Sequence, residues 1–399
     1  MMKCWNKYKL GELCDVMTGS TPLRTKSEYW DGGRIPWFTV DDIRVSGRVI
    51  HSTIQHVTDQ AVKESSLRVM PPETVLLCCT ASVGEYAITR IPITSNQQFN
   101  GLMIKAEFKD KLLADFLFNI ISTLKNKLKV FCGKTSVDFV SGSNLKSIEI
   151  SFPSLPEQRK IVEILRTWDE AIETAEAELE IKQERKRWLM DKLLVGDWEK
   201  KTITDLFELE GSGIDKIILP GEQVVPLVNY MDAYSKRFLQ ATDVTAMTSV
   251  SSSDLERCKL RRGDIVMTPS SETPDDIAHS ALIDFEPGNA VHSYHLFRLR
   301  PRQDIKFIHE FGAFFLNHIS IRRQFIRISN GTTRFTLTLP GVRSIEVSLP
   351  PEKHQRYAAE LLQDAVAQEE LATQRIQALR TQKRGLMQKL LTGEIRVEV

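Results

Sequence analysis

Nowhere in the 399 residues does the chain run through the roughly 18 consecutive apolar residues that a membrane-spanning helix needs. Its opening, MMKCWNKYKLGELC, also lacks an apolar core of about 7–15 residues followed by a small-residue cleavage site. A cytoplasmic protein with no membrane partner is therefore expected. The six cysteines (Cys4, Cys14, Cys78, Cys79, Cys132, Cys258) show no C-x-x-C spacing, which suits neither a zinc site nor a secreted disulfide framework. Charge of one sign is lacking too: the net formal charge is +1, so any polyanion partner must be sought in local patches. Catalytic signatures are equally scarce. Gly133-Lys134-Thr135 resembles the tail of a phosphate loop, but Leu128 stands where the earlier glycine is required. Gly211-Ser212-Gly213 lacks the third glycine of a dinucleotide fingerprint. No Asn/Asp-Pro-Pro-Tyr/Phe motif or nuclease carboxylate cluster is present, and His292 and His295 read as structural histidines in a strand-like run. No catalytic residue and no metal site is expected.

What is present is a duplication. Ser147-Ile148-Glu149-Ile150-Ser151 recurs as Ser344-Ile345-Glu346-Val347-Ser348, an offset of 197. At the same offset Gln158-Arg159 matches Gln355-Arg356, and LMDKLLVG at 189–196 matches LMQKLLTG at 386–393. Upstream the likeness needs small gaps: Trp5–Leu13 echoes Trp198–Leu206, and 71–77 echoes 261–267. A period near 200 is too long for a solenoid and indicates a duplicated domain with its connector.

Each copy has two parts. Residues 1–155 and 198–351 mix Gly, Pro, Ser and Asn punctuation with short β-rich runs (74–80, 148–152, 264–268, 345–349) and a helical stretch (112–130, 307–328). Residues 156–197 and 352–399 begin with segments dense in Glu, Lys, Gln, Ala and Leu, read as one long helix over 156–196 and another over 352–393, the second followed by a C-terminal tail. That tail, 394–399, alternates like an edge strand and is expected against the first globule near Trp5. The fold class is thus α+β: two similar globules joined by two long helices, arranged about a pseudo-twofold axis and nearly circular.

The helices carry a coiled-coil seam. In the first, Ile161, Leu165, Trp168, Ile172, Ala175, Leu179, Lys182, Leu189 and Leu193 follow alternating four-three spacing, and the second places Leu362, Glu369, Ile376, Leu379, Leu386 and Leu390 on its own seam in the same phase. In a fully overlapped antiparallel pair, facing residues sum to 551: Ile161 meets Leu390, Ile172 meets Leu379, Lys182 meets Glu369, and Lys383 lies beside Trp168. In a parallel pair Glu369 would face Ile172, so the antiparallel arrangement is expected. Helices of about forty residues reach roughly 60 Å at 1.5 Å per residue. Paired readers of duplex DNA engage half-sites about 34–36 Å apart, or multiples of that, and such a coil would serve as the spacer between them.

These residues resemble the DNA specificity subunits of type I restriction-modification enzymes. The carrying motifs are Gly19-Ser20-Thr21-Pro22; Tyr29-Trp30-Asp31-Gly32-Gly33-Arg34-Ile35-Pro36-Trp37 with Asp42-Ile43 beyond; Phe152-Pro153-Ser154-Leu155-Pro156-Glu157-Gln158-Arg159-Lys160-Ile161; and Leu189-Met190-x-Lys192-Leu193-Leu194-x-Gly196. The second half departs from this pattern, reading GEQVVPLVN at 221–229. The resemblance implies two target recognition domains (1–155 and 198–351) reading a bipartite sequence in double-stranded DNA, with the helices docking modification (methyltransferase) subunits. It places S-adenosylmethionine, ATP and magnesium in partner subunits, the modification subunits and restriction/translocase subunits, and no cofactor in this chain. The rival readings are a modification-only or other phage-defence complex, and a coiled-coil scaffold that binds no DNA.

Local charge agrees with a DNA partner. Residues 111–146 hold six Lys/Arg against two Asp/Glu, and residues 308–343 hold five against one. The expected contacts in the first half are Arg24, Lys26, Lys134, Thr135 and Ser136, and in the second Arg322, Arg323, Arg327, Asn330, Thr332, Thr333 and Arg334. Cations hold phosphates, while small hydroxylated residues on a glycine turn let backbone approach the duplex.

Overall fold

The computed structural model describes residues 5–131 and 139–398, without the side chains of Asn126 and Lys129. The chain forms two compact units, Met1–Ala175 with Arg375–Val399, and Glu176–Gln374. Each contains one globule and a portion of both long helices.

In the first unit a five-stranded sheet runs in the order Cys14–Thr18, Phe99–Ile104, Val75–Cys78, Tyr86–Thr89, Val49–Ile50. All its pairings are antiparallel except the last. The second unit repeats that order with Phe207–Gly211, Phe297–Pro301, Ile265–Met267, Ser280–Ile283 and Phe238–Leu239, the last pairing again parallel. Beside it lies a three-stranded sheet: Gln55–Val57, Ile35–Phe38, Thr94–Ser95 in one unit and Ala246–Val250, Gln223–Val228, Val291–His292 in the other. The central strands, VLLC and IVM, are buried along their whole length, as apolar runs covered on both faces must be.

The helical stretches are each broken in two: Ala114–Thr123 with Lys125–Val130, and His309–Phe315 with Ile319–Ile328. In the second pair the buried His318 makes the break, its imidazole accepting from Ser320 N at the start of the next helix and meeting Asp191 at 3.1 Å. A capping group competes with helix continuation in this way.

A two-stranded ribbon leads into each long helix, Asn6–Lys9 with Glu149–Phe152 and Glu199–Thr202 with Glu346–Leu349. The helices follow at Leu155–Leu193 and Glu352–Thr392. A buried glutamine in the first turns fastens each helix to its globule. Gln158 accepts from Leu113 N (2.9 Å) and donates to Lys111 O (2.7 Å) and Pro153 O (2.8 Å). Gln355 repeats this with Ile308 N (2.8 Å), Lys306 O (3.1 Å) and Pro350 O (2.8 Å).

Within each unit the helix portions pair antiparallel. Ile161 and Leu165 share a core with Leu390 and Leu386 in the first, and Leu189 and Leu193 share one with Leu362 and Ala358 in the second. Apolar positions expected to face one another near the helix ends, such as Ile161 and Leu390, therefore share a core. The charged side chains do not follow the expected pairing. Glu369 bonds Lys186, one turn beyond Lys182, and Lys383 bonds Asp169 instead of lying over Trp168. The lysine stem is long enough to lean along the seam until its ammonium reaches a carboxylate a turn away.

The C-terminal tail is not an edge strand. It is irregular after Thr392, because Arg396 turns it inward to a bidentate pair with the buried Glu157 (2.5 and 2.6 Å) and sits 5.7 Å over Trp5. Its expected place beside Trp5 is the observed one.

Candidate nucleic-acid interface

In both units three pieces of chain converge where the central strand ends. The first is a four-residue turn following the short parallel strand, closed by Phe99 N to Asn96 O (3.2 Å) in one unit and by Leu296 N to Ser293 O (3.0 Å) in the other. The second is the strand end itself, which carries on to Thr80 and to Ser270-Ser271. The third is the segment returning from the broken helix, held by Val140 N to Cys79 O (2.9 Å) and by Leu337 N to Pro269 O (2.7 Å). In the second unit that segment is a hairpin in which Asn330 and Thr336 exchange backbone hydrogen bonds. Only glycine fits at 331, since its φ is +145° and a Cβ there would lie 1.9 Å from Arg334 O.

The hairpin carries several of the expected contacts. Asn330, Thr332, Thr333 and Arg334 are exposed on it, with Arg334 donating to Ser270 Oγ at 3.1 Å. Arg323 and Arg327, on the helix that feeds it, are exposed and make no hydrogen bond or ion pair among the described residues. Arg322 differs. Its Nη2 donates to Asp275 O (2.8 Å) and Ile277 O (3.1 Å), with Nε buried, so it secures a turn.

In the first unit Lys134, Thr135 and Ser136 lie outside the described residues. Arg24 stacks on Trp30 (3.9 Å) and Trp37 (4.6 Å) and donates to Gln55 (2.7 Å), a cation held rigidly at the surface. Lys26 is spent internally. It donates to Glu64 (2.7 Å) and to Tyr29 (3.0 Å), and the Glu64 bond holds its pKa above the ordinary lysine range. As with Arg322, the structure gives Lys26 an internal task where a DNA contact was expected.

Sequence reasoning passed over the turn tips. Gln97 is exposed and accepts from Thr21, while Gln98 accepts from Asn96 Nδ2 (3.0 Å). The second unit places Tyr294 and His295 there, opening a row of rings: Tyr294 to His295 at 3.7 Å, His295 to Tyr230 at 6.5 Å, Tyr230 to Tyr234 at 5.8 Å and Tyr234 to His279 at 4.6 Å. Burial, followed by the Arg334 cation, lowers the His295 pKa. The available signal was the 197-residue offset, which equates 97-98 with 294-295. His292 is structural as expected, with Nδ1 bonded to Cys258 O at 3.1 Å.

The surface therefore offers exposed cations for phosphates and, beside them, side-chain amides, imidazole and phenol groups able to meet base edges. Comparison with known proteins points the same way. The family described as type I restriction modification DNA specificity domain matches residues 2–183 and 196–381. The type I restriction enzyme MjaIX specificity subunit of Methanocaldococcus jannaschii is 26% identical over 99% of this chain and 94% of its own. The EcoprrI specificity subunit of Escherichia coli is 33% identical over 39% of this chain and 40% of its own. Among solved structures, a chain from a study of complex assembly and conformational transition of the type I R-M system matches with a TM-score of 0.64 at 15% identity, covering 98% of this chain and 99% of that one. The S subunit from M. genitalium matches at 0.54 and 15% identity, covering 97% and 96%.

Proposed function

The chain belongs to the family of type I restriction-modification DNA specificity subunits, and from that premise we propose that it selects the DNA sequence on which a type I complex acts, each unit reading one part of a bipartite duplex target. Specificity subunits are the non-catalytic members of such systems. Methylation of adenine N6 with S-adenosylmethionine belongs to modification subunits docked on the long helices, and ATP- and magnesium-dependent translocation and cleavage to restriction subunits, all in the cytoplasm.

The observation that carries this reading is a scaffold built twice with the same strand order and the same converging segments, whose exposed edge bears different side chains in each copy. Duplicated support with divergent edges is what two half-site readers require. Arg24, Arg323, Arg327, Arg334, Asn330, Thr332 and Thr333 are assigned to DNA, together with Lys134, Thr135 and Ser136 from the sequence.

The test is a mobility shift of the chain assembled with its modification subunits, using duplexes with a randomised target over a range of salt. Selection of a bipartite motif is expected, with log affinity falling linearly in log salt. Binding that ignores sequence, or no binding, refutes the reading. Mapping N6-methyladenine in cells that express the system identifies the motif, and cleavage of unmodified DNA separates a restriction complex from a modification-only one.

A further inference from the structure

We propose that the two residues at the tip of the duplicated turn, Gln97-Gln98 in the first unit and Tyr294-His295 in the second, determine which base pairs each unit accepts. The inference rests on the DNA-reading function above and deepens it.

The equivalence of the tips follows from strand register. Phe38 lies beside Ser95 and Val228 beside His292, while Thr18 pairs with Asn100 and Gly211 with Phe297. Residues 95–100 and 292–297 thus occupy the same places at one constant offset, and the same turn hydrogen bond closes both. The turn's support is buried in each copy: Ser95, Phe99, Ser293 and Leu296 are all under 3% exposed. Between these anchors the chain lifts two side chains to the surface in each unit, and there the two copies diverge in chemistry. Packing does not demand that divergence, because Gln97 and Tyr294 are exposed. The tips also stand where reading must occur. Cys79 N donates to Gln98 O at 2.8 Å, tying the first tip to the strand end, and in the second unit Ser270 receives both Arg334 of the hairpin (3.1 Å) and the hydroxyl of Tyr230 (3.0 Å), the ring that His295 meets edge-on.

The chemistry of the tips assigns each a preference. A carboxamide presents a donor and an acceptor side by side, the pattern that matches adenine N6 and N7 in the major groove. Gln97 and Gln98 each use one lone pair of Oε1 internally and keep the second, and their NH2 groups make no hydrogen bond among the described residues. An imidazole N–H, with the Arg334 guanidinium held on Ser270, offers donors towards the N7 and O6 acceptors of guanine. The first unit therefore favours A·T pairs at the position its tip reaches, and the second favours G·C pairs.

The experiment selects binding sequences from randomised duplexes with the assembled complex, for the wild type and three variants. Gln97→Ala with Gln98→Ala is expected to reduce discrimination about tenfold or more at one or two positions of one half-site, leaving the other half-site intact. Tyr294→Ala with His295→Ala is expected to do the reverse. The exchange Gln97→Tyr with Gln98→His alters only the tip and is expected to shift the first half-site's preference away from A·T, which keeps the question open to test should an alanine variant fail to assemble. Assembled variants with unchanged preferences, or changes in both half-sites at once, overturn the inference while leaving the function standing. A wild-type complex without sequence preference removes the function and this inference together.

Discussion

Arg322 and Arg323 are chain neighbours with different roles, because a helix turns successive side chains about 100° apart. The first points at the carbonyls of Asp275 and Ile277, and the second at solvent. Arg323→Ala is therefore expected to leave thermal stability unchanged and to lower the salt slope of DNA binding by about 0.9, the loss of one phosphate contact. An unaltered slope across a salt titration would remove Arg323 from the interface. Arg322→Ala is expected to lower the melting temperature, with the salt slope retained. The buried glutamines make a second prediction at this scale. Gln158→Leu strands a half-buried N–H and two carbonyls, one of them buried, and similarly Gln355→Leu, so each is expected to destabilise its own unit by about 2 kcal/mol. Urea titration followed by hydrogen exchange of each unit reads this out, and a shift of a few tenths would mean that the glutamine clamp is dispensable. The chain pattern showed the repeated Gln-Arg pair plainly. That the glutamine faces inward and the arginine outward follows from helix phase against the globule, which no local pattern reveals.

The long helices were legible from their seam spacing, with ends within a few residues of Leu155–Leu193 and Glu352–Thr392. Their antiparallel sense and apolar register were legible as well, since a single acidic position against an apolar one disfavours the alternative. The charge pairing was not. A lysine stem is long enough to reach a turn away, so Lys186 takes Glu369, and an expectation drawn from facing positions alone misassigns it to Lys182. The pair is half-buried, with both side chains 21% exposed, so its contribution is modest. Lys186→Glu sets two carboxylates together and is expected to destabilise the second unit by about 1 kcal/mol or more. The double variant with Glu369→Lys should recover most of the loss in a double-mutant cycle. Additive single effects would show that the two groups do not interact. The helical stretches of the globules were legible as helix, but not their interruption, because His318 acts as a cap only once its imidazole has a neighbouring turn and Asp191 to meet.

At the scale of the whole molecule, duplication with divergence makes two units of one design unequal in their response to acid. Where the first unit has Ser95 the second has His292, fully buried and bonded to Cys258 O. Burial pushes its pKa down to about 4, reinforced by Arg298, Arg257 and Arg300, with the Cys258 carbonyl opposing. The unfolded chain, with its histidine near 6.5, binds more protons than the folded one between these values. The stability that this neutral histidine contributes is thus complete above about pH 6.5 and falls as pH drops towards 4, by about 3 kcal/mol in all. The second unit is expected to open first on acidification, before the carboxylates titrate. Hydrogen exchange at pH 7, 6, 5 and 4 should lose protection in the sheet of Gln223–Val228 and Val291–His292 while the sheet of Ile35–Phe38 and Thr94–Ser95 keeps its own. His292→Ser installs the first unit's side chain at this position. It should lower stability at neutral pH, through the lost contacts, yet remove the extra acid sensitivity. Equal loss of protection in both units, or a His292→Ser protein as acid-sensitive as the wild type, would show that this imidazole does not set the difference. The 197-residue offset equates Ser95 with His292, but the asymmetry was not legible along the chain, because only the strand pairing beside Phe38 in one copy and Val228 in the other shows the position to be buried.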